Sequence, residues 1–275
     1  MAAPIIQTTN EISVVIPVKK NRKGIENFLN DLFKTLEPEF LPLEIIIVCD
    51  KDETVKLPSI CTRYPIRVIV LCSNGHGPAM ARNVGWRNAR GKWILFTDSD
   101  CRPTTNWLKG YIQASNGAIG YAGRIRAFGR DSISMYYESQ STLTPPANSQ
   151  LGAVLSPDYL ITANALIWKS ALEAIGGFNE LIKIAAGEDI DIGFRLREIG
   201  NLSFALDSVV LHDFNDGLVG FVRRFRRYGK GNHILARMYN LSIKPRRFRP
   251  RRKCVTNYFL AYIQYLSMLW GWHFG

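Results

Sequence analysis

The chain is poor in acid at one end, in cysteine pairs throughout, and in anything resembling a leader at its start. Its last sixty residues hold a single acid, Asp216, against thirteen Lys and Arg, whereas residues 1–215 hold 22 of each sign. The whole formal charge of +12 therefore lies in the tail. A neutral body excludes a protein built all round for a polyanion. The basic tail calls for something anionic: phospholipid, nucleic acid or a phosphorylated acceptor. The five cysteines, Cys49, Cys61, Cys72, Cys101 and Cys254, show no Cys-x-x-C or Cys/His ligand spacing. Neither a disulfide framework nor a zinc knuckle is indicated, and reduced thiols in a cytosolic compartment are expected. Residues 1–11 carry no basic n-region and no apolar h-region, so no cleaved signal peptide is expected. There is no internal repeat. There is no dinucleotide fingerprint either, because Met80 stands where a glycine would have to follow Gly75-His76-Gly77.

What the chain does have is core. With 47% apolar residues over 275 positions, low-complexity disorder is excluded, and one large domain with an appendage fits. Residues 12–18 (ISVVIPV), 44–49 (EIIIVC), 66–71 (IRVIVL) and 93–97 (WILFT) read as buried strands. Between them, residues 21–36 repeat apolar side chains at helical spacing, and Pro78 opens a second helix over 78–89. Unbroken apolar strands alternating with helices predict an α/β fold, a mostly parallel sheet flanked by helices. Residues 120–159, with their Gly, Ser and Pro clusters, read as a long irregular excursion, most of all over 139–150. Later come a segment of regular structure at 160–168, helices at 170–175 and 188–199, and a strand at 203–211 ending at His212.

In an open parallel sheet, ligands bind beyond the carboxyl ends of the strands. Pro17, Asp50 and the run Asp98-Ser99-Asp100 all fall at such ends. Two carboxylates spaced i and i+2 repel unless a cation neutralises them, and hard Mg²⁺ or Mn²⁺ suits oxygen donors beside a diphosphate. An Asx-turn or a helix cap would explain one of these acids as well. The context is more specific. Residues 78–85 (PAMARNVG) and 89–100 (ARGKWILFTDSD) closely resemble the signature of family 2 glycosyltransferases. Residues 13–18 (SVVIPV) look like the opening strand of that family. Residues 161–164, Gly176-Gly177-Phe178 and Gly187-Glu188-Asp189 look like its second half, in the right order over residues 11–215.

The resemblance implies a GT-A fold and an inverting transfer of sugar from a nucleotide donor, most simply a UDP-sugar, to a hydroxyl. The acceptor would be a carbohydrate or a lipid-linked one. Asp50 would contact the donor base, although Lys51 and Asp52 replace the Gly and Ser usual after it. Asp98 would meet the ribose or the metal, Asp100 the metal, and His212 would be a third metal ligand or a structural strand-end histidine. Asp189 would be the general base, with Glu188 the second candidate. Both acids also suit a helix N-terminus for the dipole alone. Arg82 offers a guanidinium for a base carbonyl or a phosphate, or else a helix salt bridge.

Residues 216–275 then form a basic and aromatic helical extension to a catalytic domain at 1–215. Arg224-Phe225-Arg226-Arg227-Tyr228 resembles the Gln-x-x-Arg-Trp element of processive synthases with both outer residues changed. Arg227 would pair with the donor diphosphate or an acceptor phosphate, or lie on a solvated face. Seven of the ten residues 244–253 are basic, and residues 254–275 contain no Lys, Arg, Asp or Glu. A helix of that length would reach about 33 Å against a hydrocarbon core of about 30 Å. Three placements stay open: an interfacial anchor on an anionic, cytoplasmic membrane face, packing against the body or a partner, or a true span. A non-catalytic nucleotide-sugar scaffold is the competing reading. A nucleic-acid binder is not expected, because no readout module is present.

Overall fold

The computed structural model describes residues 1–50, 64–148, 156–214 and 216–275. Lys51, Asp52 and Cys61, and the part of the loop reading that falls on 149–155, lie outside the described residues.

The framework is an eight-stranded sheet. Strands β1 (Ile12–Val18), β2 (Glu44–Cys49), β3 (Arg67–Cys72) and β4 (Trp93–Thr97) form its parallel half, in the order β3-β2-β1-β4. Every residue of β2 and β4 is buried, which is why they read as continuous apolar runs and not as an alternation. Helix α1 (Arg22–Thr35) lays Ile25, Phe28, Leu29 and Leu32 onto the core. Its start is fixed by Asn21, whose Oδ1 accepts from the Gly24 amide at 3.1 Å. Helix α2 (Pro78–Arg87) lies so close to β1 that a Cβ at Gly85 would stand 2.3 Å from Val15 Cγ1. The glycine in the 78–85 run is therefore a packing requirement.

The second half of the sheet was less visible in the sequence. Chain order continues through β5 (Cys101–Pro103), α3 (Trp107–Ala114), β6 (Gly120–Ala127) and α4 (Ser132–Gln140). A short ribbon of β7 (Ala147–Asn148) and β8 (Ser156–Pro157) follows. Then come β9 (Asn164–Trp168), α5 (Lys169–Ile175), α6 (Glu188–Ile199) and β10 (Leu202–His212). The sheet runs on from β4 as β9-β6-β10-β5, with β9 antiparallel to both neighbours and β5 antiparallel to β10. The expected α/β sheet flanked by helices is present. The irregular reading of residues 120–159 is corrected, because β6 and α4 occupy much of that stretch. The glycines that obscured β6 serve it: at Gly123 a Cβ would meet Asn164 Nδ2 at 2.2 Å. That space lets Asn164 donate to the carbonyls of Arg124 and Ser208.

The chain closes with two helices, α7 (Gly217–Tyr239) and α8 (Val255–Phe274), joined by a segment without regular structure. Tyr136 and Tyr137 of α4, Phe214, Phe221 and Phe225 form a second apolar cluster with Leu260 and Ala261 of α8. The two helices cross backbone to backbone. A Cβ at Gly229 would lie 1.9 Å from the Met268 carbonyl oxygen, and one at Gly271 would lie 1.9 Å from that of Arg226. Among the described residues no helix is long and apolar enough to cross a membrane, so the spanning placement of 254–275 gains no support and packing on α7 is realised. Replacing Gly229 with Val must push α8 away. A loss of about 1–3 kcal/mol is expected from such overpacking, read as a lower urea midpoint. A variant as stable as the parent would show that the helices do not meet there.

Candidate active site

The carboxyl ends of β1, β2 and β4 open into one cleft of about 780 Å³. Pro17, Asp50, Arg82, Asp98, Asp100, Glu188, Asp189, His212 and Arg227, distant in sequence, all line it. Each is placed by a local rule. Asp50 follows β2 directly, where its Oδ1 accepts from the Gly77 amide at 3.3 Å and its Oδ2 meets Lys19 Nζ at 2.9 Å. The Asp98-Ser99-Asp100 turn follows β4. It is closed by the Cys101 amide donating to the Asp98 carbonyl at 3.1 Å and tied to the α1 cap by Asn21 Nδ2 donating to Ser99 Oγ at 2.9 Å.

Arg82 joins the two halves of the site. From α2 its Nη1 donates to Glu188 Oε1 at 2.8 Å and its Nη2 to Asp98 Oδ1 at 3.2 Å. The guanidinium lies 5.7 Å from the Phe178 ring centroid. Burial works against its charge, but Glu188 and Asp98 hold it firmly protonated. Of the readings open to Arg82, the structure takes the ion pair: its terminal nitrogens are directed at carboxylates. Glu188 is consequently engaged, with its side chain 5% exposed. Asp189, one residue on at the start of α6, makes no ion pair among the described residues. Burial, then the neighbouring Glu188, push its carboxyl up to about 7, against a smaller opposing pull from Arg82. Asp191, buried, turns away to Arg195 and Tyr239.

At the other end of the cleft, His212 Nε2 stands 3.6 Å from Asp100 Oδ1. Its Nδ1 lies 3.1 Å from the Asp213 carbonyl oxygen, which can only accept. Nδ1 is thus turned to a backbone acceptor, and Nε2 is the ring nitrogen directed at the cleft. The ring is held flat against Phe214 at 4.4 Å between centroids, and Phe214 against Tyr137 at 4.1 Å. Burial, with Asp98 adding, pushes the Asp100 carboxyl up, and His212 partly offsets this. A carboxylate so placed gains from a cation. An oxygen donor facing an imidazole nitrogen, with Asp98 on the same turn, fits a divalent metal. Cys101, opposite His212 in the β5–β10 register, falls in the same group. Its thiol is held neutral by burial and by Asp100 and Asp98, and it donates to the Ala163 carbonyl, so it is not a ligand in this form.

The extension supplies a wall from which the sequence reading had brought only Arg227 into the site. Arg224, Phe225, Tyr228 and Asn232 of α7 line the cleft, as do Gln264 and Met268 of α8. Arg224 bonds Tyr137 Oη at 3.1 Å and Asp216 Oδ2 at 3.0 Å. Arg227, exposed, is steadied by its Nε on the Ala185 carbonyl at 2.9 Å. Only the Arg224–Tyr228 run had signalled any of this.

The family model described as "Glycosyl transferase family 2" matches residues 13–176, more than half of the chain. The chain belongs to glycosyl transferase family 2. A curated relative, the pre-mycofactocin glycosyltransferase of Mycobacterium tuberculosis, is 27% identical over 230 residues, covering 80% of this chain. The chain spans 46% of that relative's length. Two solved structures share the GT-A fold. The mannosyltransferase PcManGT from Pyrobaculum calidifontis, in complex with GDP-Man and Mn²⁺, has a TM-score of 0.62 at 14% identity and covers 99% of this chain and 74% of its own. GalNAc-T7 with UDP, GalNAc and Mn²⁺ has a TM-score of 0.60 at 16% identity and covers 92% and 54%.

Within this family member the buried pair makes a direct prediction. Arg82→Met strands Glu188 without a counter-charge and is expected to cost about 3–5 kcal/mol in urea unfolding. Adding Glu188→Gln should return a large part of that loss. If the double variant is no more stable than the single one, the pair does not hold the two halves together.

Proposed function

We propose that the protein transfers a sugar from a nucleotide donor, of which a UDP-sugar is the simplest case, to a hydroxyl of a carbohydrate or lipid-linked acceptor, with inversion. The observation that carries this is the meeting of Asp50, Asp98, Asp100 and His212 from the sheet with Asp189 from α6 in one cleft. Family membership and the nucleotide-bound neighbours support the donor class.

In this reading Asp50 meets the donor base, Pro17 walls its pocket, and Asp98 faces the ribose with Arg82 holding its carboxylate in place. Arg227 reaches the diphosphate from α7. Asp100 and His212, with Asp98 beside them, hold Mn²⁺ or Mg²⁺. Such an ion, when bound, neutralises the leaving diphosphate. Asp189 removes the proton of the acceptor hydroxyl as its oxygen attacks the anomeric carbon. The new C–O bond forms as the bond to the diphosphate breaks, and the leaving group departs on the opposite face. Glu188 is a positioning residue, because Arg82 already claims it. Residues 1–215 form the catalytic body, and residues 216–275 close the cleft and bring it to an anionic, cytoplasmic membrane face.

Two measurements test this reading. A base near 7 is protonated and idle in acid. The kcat/KM for transfer should therefore fall about tenfold per pH unit below about 7 and level off above it. Asp189→Asn should lose about 10²–10⁴-fold in kcat and lose that pH limb, with its melting temperature kept. Unchanged transfer by Asp189→Asn would remove it as the base. Separately, a panel of nucleoside diphosphates should raise the melting temperature in Mn²⁺ more than in chelator, and His212→Ala should abolish the difference. No stabilisation by any nucleoside diphosphate would overturn the donor site itself.

A further inference from the structure

Helix α8 keeps a second apolar stripe on the face turned away from the body. Its inward face carries Leu260 and Ala261 together with Asn257, Gln264, Ser267 and Gly271, while Val255, Phe259, Tyr262, Leu266, Trp270 and Phe274 point outward, each 43–87% exposed. At 100° per residue these six fall on one side of the helix, running its whole length of about 30 Å. Soluble helices normally turn the apolar stripe inward. A continuous exposed stripe of this kind marks a surface that is covered in use.

The surroundings identify what covers it. Arg226 holds its guanidinium 4.2 Å from the Trp270 ring centroid, and Arg247 lies 5.9 Å from that of Tyr262. All seven basic residues of 244–253 are exposed, and no salt bridge among the described residues reaches any of them. An aromatic stripe with unpaired arginines at its rim matches the boundary between acyl chains and anionic headgroups. A second copy of the chain fits poorly, since pairing two stripes would bring two such arginine segments together. A span is not available either, because no described helix is long and apolar enough to cross.

We propose that the outward face of α8, rimmed by Arg226 and the 244–253 segment, seats the protein on an anionic lipid bilayer, with the helix lying in the interface. This rests on the membrane placement proposed above and names the surface responsible. It also fixes the distance to the site. Gln264 and Met268 line the cleft, and each lies two positions, or 200°, from Tyr262, Leu266 or Trp270. One helix, about 10–12 Å thick, thus separates the cleft wall from the bilayer.

The test uses the full chain and vesicles of phosphatidylcholine alone or with 30% phosphatidylglycerol, on the order of the anionic content that attracts basic segments. The parent protein should sediment with the anionic vesicles only, less so as salt rises. Brominated lipid should quench Trp270, as judged against a Trp270→Ser control. The variant Phe259→Ser/Leu266→Ser should lose at least about tenfold in vesicle partitioning while its melting temperature and its hydrolysis of a nucleotide sugar stay within about twofold. Absence of vesicle binding by the parent, undiminished binding by the variant, or stripe-dependent dimerisation in light scattering would each overturn the seat. So would binding to duplex DNA in preference to anionic vesicles. Loss of nucleotide-sugar hydrolysis in the parent, with vesicle binding intact, would overturn the catalytic reading and leave the seat standing.

Discussion

A single buried cation holds the site together. Arg82 bridges Asp98, at the end of β4, and Glu188, at the start of α6. Without that charge, Glu188 would sit desolvated beside Asp189 and Asp98, and three carboxylates would push the halves of the cleft apart. The pairing is local, but the geometry that depends on it is not. It aligns the turn carrying Asp98 and Asp100 with the helix carrying Asp189. It also settles which of two adjacent acids is free: Glu188 is spent on Arg82, and Asp189 faces the cleft without a cation of its own.

The two ends of the cleft are therefore electrically different. Around Asp189, burial and a neighbouring acid raise a carboxyl into the neutral range, where proton transfer is best matched. Around Asp100 and His212, a carboxylate faces an imidazole whose Nδ1 is turned to a backbone carbonyl and whose plane is fixed by Phe214. The first environment suits a group that gains and loses a proton. The second suits a pair of donor atoms held in place for a cation. In the proposed mechanism these are the base and the metal site, about as far from interchangeable as two acidic positions in one cleft can be.

How much of this was legible in the sequence depended on whether the signal was local. Buried parallel strands give unbroken apolar runs, so β1, β2 and β4 and the acids at their ends were readable. Asp50, Asp98, Asp100, Asp189 and His212 were named from those positions and from the family pattern, and the cleft gathers all of them. Strand β6 was missed because its glycines yield their space to Asn164 and Leu202, a reason that exists only in the packed sheet. The partners of Arg82 were hidden for a similar cause: helical spacing says that an arginine is on a helix, not which carboxylate 106 residues away it meets. The role of α8 as a wall was hidden by its composition. An aromatic helix next to an arginine run announces a surface, and only the Gly229–Gly271 crossing shows that its other face reaches Gln264 and Met268 into the cleft.

The separation of Arg82 from Glu188 bears on how the molecule is made. Arg82 and Asp98 leave the ribosome about a hundred residues before Glu188, some 5–20 s at typical elongation rates. During that interval α2 has a cation to bury and only one of its two counter-charges. The amino-terminal half-sheet alone thus lacks one of the two carboxylates that face Arg82 in the finished fold. A chain cut at residue 176, where the family match ends, would keep Arg82 and Asp98 but lose Glu188.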